Sequence, residues 1–276
     1  IMRGVSSQDP VSGDTTLGSS SLIQALREAR EDAVRGVLLR VNSPGGSYVA
    51  SDLVRREVEL TREAGIPVVV SMANVAASGG YFISLDADYI FALPGSITGS
   101  IGVISAFFSL KRTLEKNLHV SFDSYGTSEN ADYFSGLGLP EGKRLDAFRR
   151  DMDDIYADFT QHVARGRNLP IEKVQEIAKG RVWSGRAALE HGLVDELGGM
   201  RTAIRKLKEL SGLNPDIPAS MTIYPQPDTP WDMLKQLLHG AQSPAQSLRH
   251  MVRELNERAS GFDSSRVLEA TIPTIQ

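Results

Sequence analysis

The sequence contains no cysteine among its 276 residues. Disulfide bonds, zinc–thiolate sites and cysteine nucleophiles are therefore excluded. Long apolar runs are also missing, since no stretch approaches the roughly 20 residues that a helix needs to span a bilayer. We therefore expect no transmembrane segment within this chain. The chain begins at Ile1 without a signal-peptide pattern, which indicates a fragment or a processed piece of something longer.

The sequence also lacks the short motifs of common cofactor and metal sites. It has no G-x-G-x-x-G pattern, no Walker A pattern and no H-E-x-x-H pattern. We therefore predict no cofactor and no metal site. The net charge is -4 at pH 7, with acidic and basic residues interspersed and no basic stripe along the chain. This charge pattern does not favour a nucleic-acid partner.

The composition is that of a folded, globular chain. Hydrophobic residues make up 41% of the sequence and charged residues 23%, which excludes a disordered protein. At this length we expect one large domain and an appendage. Prolines become frequent after Gly212. We therefore predict a main domain over residues 1–213, followed over 214–276 by a proline-rich linker and a helical C-terminal extension.

The most informative stretch runs from Pro67 to Ser84. Its apolar start, Val68–Val70, predicts a strand buried on both faces, and the small residues of A-A-S-G-G at 76–80 predict a sharp turn into a helix. A serine at that turn, Ser78, would lie beside the free backbone N–H groups of a helix N-terminus. Such donors stabilise the oxyanion of acyl transfer. Taken alone, the motif favours a tight packing turn in which Ser78 only caps the helix.

A second strand, turn and helix precede this stretch. The strand over 37–41 runs into N-S-P-G-G-S at 42–47, and a helix of good helix formers follows over 51–63. Adjacent glycines allow backbone to approach a ligand closely. If the two strands are parallel neighbours, the N–H of Gly46 comes near Ser78 Oγ.

Four separated motifs resemble those of the signal peptide peptidase A (protease IV) family of S49 serine peptidases. They are N-S-P-G-G-S at 42–47, V-A-A-S-G-G-Y at 75–81, T-G-S-I-G-V at 98–103 and G-R-V-W-S-G-R-A-A-L-E-H-G-L-V-D-E-L-G at 180–198. The resemblance implies an α/β fold of the ClpP/crotonase class, with repeated β-β-α units. It also implies a serine endopeptidase that hydrolyses released signal peptides and other peptides by a Ser–Lys mechanism.

The resemblance assigns roles to individual residues. Ser78 would be the catalytic nucleophile, and the N–H groups of Gly46 and Gly79 would form the oxyanion hole. The residues implied in the substrate groove are Gly45, Ala77, Gly99, Ser100 and Ile101. The implied partners are cleaved signal peptides and further copies of the protein, in a tetramer-like bowl or ring. The implied location is at a membrane, with the catalytic part on the extracytoplasmic (periplasmic) face.

The catalytic lysine is missing where short members of the family carry it. Residues 125–140 contain no lysine, and the position that we align with it is Ala131. Long, duplicated members place the serine in a C-terminal half and the lysine in an N-terminal half. The chain resembles such a C-terminal half, so we expect the N-terminal half of the same protein to be a partner that supplies the lysine.

Three other functions remain open from the sequence. A Ser–His–Asp hydrolase would need G-x-S-x-G, but Ala76 replaces the first glycine, and Asp195 is interpreted as a turn residue rather than a triad acid. A crotonase-like acyl-CoA enzyme would share the fold and the oxyanion hole. A non-catalytic half-domain that serves only in assembly would leave Ser78 unreactive.

Apolar patterns and breaker residues predict further elements. Ser21 is expected to cap the first helix. Strands are expected at Tyr89–Ala92, His119–Ser124 and Met221–Tyr224. Further helices are expected over 107–117, with Lys111 and Lys116 on a solvated face, and at Met200–Leu210, Trp231–Leu238 and Ala245–Arg258.

Overall fold

The computed structural model describes residues 1–2, 4, 6–8, 15–107, 109–123, 125–127 and 139–224. Contacts divide the chain into two units, Ile1–Pro225 and Gln226–Gln276. The second unit lies outside the described residues, and so do the helices predicted at Trp231–Leu238 and Ala245–Arg258. The predicted domain boundary between residues 213 and 214 therefore stays a prediction.

The main unit is built on a six-stranded sheet whose central strand ends directly before Ser78. The strands are β3 (Val37–Ser43), β4 (Val68–Ala77), β5 (Tyr89–Ala92), β6 (Ile97–Gly99), β7 (Val182–Ser184) and β8 (Glu196–Leu197). Strand β4 is parallel to β3 along one edge and to β5 and then β6 along the other. Strand β8 extends the sheet in parallel beside β5, and β7 runs antiparallel to β6. Two short strands, β1 (Ser7–Gln8) and β2 (Thr15–Thr16), form a separate antiparallel pair.

Helices cover both faces of this sheet. The helices of the described residues are α1 (Ser19–Glu31), α2 (Tyr48–Glu63), α3 (Gly79–Phe82), α4 (Lys111–Leu118), α5 (Lys143–Arg167), α6 (Ile171–Ile177), α7 (Gly185–Glu190) and α8 (Met200–Leu210). Within the described ranges, no helix is both long enough and apolar enough to cross a membrane.

Strand β4 is buried on both faces, as its apolar run predicts. Val68 and Val70 are fully buried in the larger core, which also contains residues of α2, α3 and α5. Val69, between them, packs instead with Phe91 and with Ala203 of α8. This alternation follows from the two-residue period of a strand. The α/β class expected from the sequence is therefore confirmed, and β5 and α8 have the predicted bounds.

Three local predictions are wrong. Helix α1 begins at Ser19, and Ser21 lies inside it, where its Oγ accepts a hydrogen bond of 2.9 Å from the Ser6 N–H. Residues 119–123 follow the left-handed His119 (φ 54°) that ends α4, and they form no strand, since no strand of the described residues pairs with them. The segment Met221–Tyr224 is not a strand either; Met221 and Ile223 are exposed, and no strand of the described residues pairs with them.

Candidate active site

Ser78 occupies a strained turn between β4 and α3. Its dihedral angles are φ 52° and ψ -121°, in a region that residues other than glycine rarely adopt. Strain of this kind costs about 1–3 kcal/mol and persists only where the surroundings enforce it. A strained turn from strand to helix is also how α/β-hydrolases expose a nucleophilic serine. The Ser78 side chain makes no capping hydrogen bond to α3, so its interpretation as a helix cap is wrong.

Backbone contacts on both sides enforce this turn. The Ser78 N–H donates to the Gly99 carbonyl at 2.8 Å, and the Ser78 carbonyl accepts from the Phe82 N–H at 2.8 Å. The end of β4 is fixed by Thr98, whose fully buried hydroxyl donates to the Ala76 carbonyl at 2.7 Å. Thr98 opens the motif at 98–103, but the sequence carries no signal of the bond that its buried hydroxyl makes.

The glycine turn after β3 lies directly against Ser78. Strands β3 and β4 pair at Ser43 and Ala76, which brings Gly45 so close that a Cβ on it would lie 2.8 Å from Ser78 Cβ. The Gly46 nitrogen is 3.3 Å from the point that a Cβ on Gly79 would occupy. Neither the Gly46 N–H nor the Gly79 N–H donates a hydrogen bond to any residue that the structure describes. Two N–H groups that have no acceptor among the described residues thus lie near Ser78, where an oxyanion hole would need donors.

Four of the five predicted groove residues lie around this turn. Gly45 adjoins Ser78, Ala77 precedes it and pairs with Gly99 of β6, and Ser100 follows Gly99 in a left-handed conformation (φ 48°). Ile101 differs, because its side chain is fully buried in the core. A groove therefore cannot be lined by the Ile101 side chain. The catalytic and substrate roles of the other residues stay predictions.

Comparison with known proteins matches a stretch of the chain that includes Ser78. The family described as "Peptidase family S49" matches residues 61–214, more than half of the chain. The chain belongs to peptidase family S49. Among curated relatives of this S49 chain, "Protease 4" of Haemophilus influenzae is 40% identical over 213 residues, which cover 76% of the chain and 33% of that protein. "Serine protease SPPA, chloroplastic" of Arabidopsis thaliana is 36% identical over 223 residues, which cover 77% of the chain and 32% of that protein.

The S49 chain thus spans about a third of the length of these two relatives. Among solved structures, a point mutant of ClpP1 from Listeria monocytogenes aligns over 67% of the chain and 86% of that protein, with 15% identity and a TM-score of 0.46. A likeness at this level carries no argument about the fold or the function of the S49 chain.

Asp195 has a structural role, which excludes it as a triad acid. Its Oδ1 accepts from Arg167 Nη2 at 2.6 Å, and its Oδ2 accepts from the Ile90 N–H at 2.8 Å. Burial alone would lower the pKa of Arg167, but the hydrogen bonds to Asp195 outweigh it and raise that pKa. The Arg167 guanidinium therefore stays charged, and its bonds to Asp195 tie α5 to β5.

The described histidines are not arranged to activate Ser78. His162 packs edge-on against Phe82, and its pKa is lowered by burial and by the nearby Arg55. His191 packs against Trp183, with ring centroids 4.2 Å apart. His119 ends α4. No hydrogen bond reaches Ser78 Oγ from any of these three rings or from another described residue.

The two lysines that precede residues 125–140 lie on an exposed helix. Helix α4, which carries Lys111 and Lys116, has no buried residue, and the Lys111 ammonium faces Glu115 at 3.9 Å. Ala131, the position that aligns with the catalytic lysine of the short family members, lies outside the described residues. Within the described ranges, His, Asp and Glu side chains form no cluster of three or more that could hold a metal ion.

A charged cavity lies on another part of the surface and is not lined by Ser78. Three of its arginines are already paired with carboxylates. The pairs are Arg55 with Asp86, Arg62 with Asp88 and Arg167 with Asp195. This cavity is therefore an ion-pair network and offers little free positive charge to an anionic ligand.

Proposed function

We propose that this chain carries the nucleophile of a serine endopeptidase of the signal peptide peptidase type. One observation carries the proposal: Ser78 lies on a strained turn, with a side chain that caps nothing, beside the free N–H groups of Gly46 and Gly79. Membership of peptidase family S49 supports the same reaction class. Because the chain spans only a third of its long relatives, the activity is proposed for the whole protein.

The reaction proceeds in two halves. Ser78 Oγ attacks the scissile carbonyl carbon while a neutral lysine Nζ removes the hydroxyl proton. The N–H groups of Gly46 and Gly79 bind the oxyanion that forms. The C–N bond then breaks, the leaving amine takes the proton from the lysine, and an acyl ester remains on Ser78. The lysine next removes a proton from water, the water attacks the ester, and Ser78 recovers its hydroxyl proton as the acid leaves.

The lysine comes from an N-terminal half of the same protein. Residues 125–140 contain none, and Lys111 and Lys116 lie on a helix without buried residues. A lysine acts as a base near neutral pH only when burial or another cation lowers its pKa. Neither Lys111 nor Lys116 is buried, so we place the base in a second chain segment.

The substrates are peptides, including signal peptides after their release. Small residues around Ser78 leave room for a modest apolar side chain of the substrate: Gly45, Ala77 and Gly99. A relative from Enterococcus faecium, 37% identical over 190 residues, is named "Putative signal peptide peptidase SppA", which supports this substrate class. The protein acts at a membrane on the extracytoplasmic face, and copies assemble into a ring or bowl that encloses the site.

A non-catalytic assembly half is the second candidate. It is favoured by the absence, within the described part of the chain, of any hydrogen bond that would activate Ser78 Oγ. The two candidates differ in one measurable property. Ser78 reacts with substrate in the natural protein under the first proposal, whereas it stays inert in every complex under the second.

Replacement of the hydroxyl separates the two candidates. In the natural protein that contains this chain, Ser78→Ala should abolish peptide hydrolysis while the unfolding temperature stays within a few degrees of wild type. Ser211→Ala is the control, because its half-buried hydroxyl only donates to the Leu207 carbonyl at the end of α8. Peptidase activity that survives in Ser78→Ala would refute the proposal.

A further inference from the structure

The Gly45–Gly46 peptide is held from the side that faces away from its N–H. The N-terminal ammonium of Ile1 donates to the Gly45 carbonyl at 2.7 Å, and the Ile1 carbonyl accepts from the Ser47 N–H at 2.8 Å. The Ile1 side chain is 8% exposed and belongs to the core, so this backbone segment is firmly seated. Ile1 therefore contacts the glycine turn on both sides of Gly46, at Gly45 and at Ser47.

Ser43 holds the same turn from within. Its Oγ accepts a hydrogen bond from the Gly45 N–H at 3.2 Å and lies 3.4 Å from the Gly45 carbonyl oxygen, to which it donates. A serine that accepts from the N–H two residues ahead is a recognised way of fixing a turn. The Ser43 backbone packs closely against Gly80. A Cβ on Gly80 would lie only 2.5 Å from the Ser43 carbonyl oxygen, so Ser43 has little room to move.

Fixing the Gly45 carbonyl also fixes the Gly46 N–H. The two groups belong to one planar trans peptide and point in opposite directions. Without these contacts the peptide could turn over easily, because Gly45 (φ 118°) and Gly46 (φ 150°) both lie where glycine alone moves freely. An oxyanion donor is effective only when its direction is set before the reaction.

We propose that Ser43 is a positioning residue that sets the direction of the Gly46 N–H. The proposal rests on the proposed function, since the N–H matters only if it binds an oxyanion. Ser43 touches neither substrate nor the reacting atoms. Its hydroxyl links the end of β3 to the oxyanion turn, so that the strand carrying Ser43 and the turn beside Ser78 move as one body.

The test compares Ser43→Ala with Ser43→Thr in the natural protein. Ser43→Ala should lower kcat about 10- to 100-fold with KM changed less than about twofold, somewhat below the effect of losing an oxyanion donor outright. The affinity for a peptide aldehyde, which forms a tetrahedral adduct on the serine, should fall by a similar factor. Ser43→Thr keeps the hydroxyl and should restore most of kcat. An unchanged kcat in Ser43→Ala, or the absence of rescue by threonine, would overturn the proposal.

Ser96→Ala is the matched control. Its buried hydroxyl accepts from the Leu93 N–H at 3.1 Å and donates to the Ala73 carbonyl, so it makes the same number of backbone bonds away from the glycine turn. We expect Ser96→Ala to reduce stability but to leave kcat unchanged. An equal loss of kcat in both variants would show a general folding effect and would refute a positioning role for Ser43.

A second measurement does not need turnover. In nitrogen-15-labelled protein, the residual dipolar coupling of the Gly46 N–H reports its direction, and it should change in Ser43→Ala but not in Ser96→Ala. An unchanged coupling would overturn the proposal whatever the peptidase assays show. If the coupling changes while wild type and Ser78→Ala hydrolyse peptides equally, the peptide is positioned by Ser43 and the proposed function is what fails.

Discussion

At the scale of single residues, the conformation of Ser78 is the feature that sequence reasoning could not reach. The small residues from Ala76 to Gly80 predicted the turn, but nothing in them predicts a positive φ at the serine. That angle is held by two hydrogen bonds of the Ser78 backbone, one to Gly99 on the neighbouring strand β6 and one to Phe82 in α3. Strain that tertiary contacts enforce is typical of functional sites.

This strain predicts that glycine stabilises the turn. Glycine adopts positive φ without steric cost, whereas alanine keeps the Cβ and therefore the strain. We expect Ser78→Gly to be about 1 kcal/mol more stable than Ser78→Ala in urea unfolding, although neither variant can hydrolyse peptides. Equal stability of the two variants, or a less stable glycine variant, would contradict a strained Ser78.

At the scale of elements, the packing of α1 on α2 depends on a buried carboxylate. Glu57, 4% exposed, accepts from Arg27 Nε at 3.0 Å and from Arg30 Nη2 at 2.6 Å. Burial alone would raise the pKa of Glu57, but the hydrogen bonds from the two arginines outweigh it and lower that pKa below its ordinary value of 4.5. The charged carboxylate thus stabilises the folded state.

Glu57→Gln should therefore destabilise the protein by about 2 kcal/mol at neutral pH, since it weakens a buried, charge-assisted hydrogen-bond pair. Because the folded-state pKa is the lower one, this stabilisation is present above pH 4.5 and is lost as the pH falls further. The stability difference between wild type and Glu57→Gln should accordingly shrink in acid.

Urea unfolding at several pH values measures this difference. The control is Glu63→Gln, whose side chain is 57% exposed and lies 3.5 Å from Arg56, so that its change should stay below about 0.5 kcal/mol. A difference for Glu57→Gln that is absent at neutral pH, or that grows in acid, would be inconsistent with this interpretation.

The elements also show which parts of the fold the sequence could predict. Strand β5 and helix α8 have the predicted bounds because their apolar residues follow the period of a buried strand or an amphipathic helix. Met221–Tyr224 has a similar apolar content but no partner strand among the described residues, and Ile223 is 76% exposed. Strand β7, only three residues long, was missed because pairing with β6 defines it.

In the candidate site, too, the sequence predicts some features and not others. The approach of Gly45 and Gly46 to Ser78 followed from two successive strands that each end in a glycine-rich turn. The contacts that hold this turn, from Ser43 and from the Ile1 backbone, involve partners that no local pattern identifies. The buried side chain of Ile101 was likewise beyond reach, because an apolar residue in a groove and one in the core look alike in sequence.

At the scale of the whole molecule, the chain spans about a third of two curated relatives. The proposed lysine lies outside it. We therefore expect residues 1–276 alone to be nearly inactive against peptides and to react slowly with a fluorophosphonate probe. Addition of the N-terminal half, with its lysine, should restore both properties. Full activity of residues 1–276 alone would place the base within them, and alanine replacement of Lys111, Lys116 and Lys143 would then be the search for it.

The central claim is that Ser78 is the nucleophile, and covalent labelling tests it most directly. The natural protein that contains this chain is treated with a fluorophosphonate, digested, and the adduct is located by mass spectrometry, with Ser78→Ala and Ser211→Ala treated in parallel. The account predicts one adduct, on Ser78 Oγ, which is absent from Ser78→Ala and undiminished in Ser211→Ala. An adduct on another serine together with full peptidase activity in Ser78→Ala would contradict it.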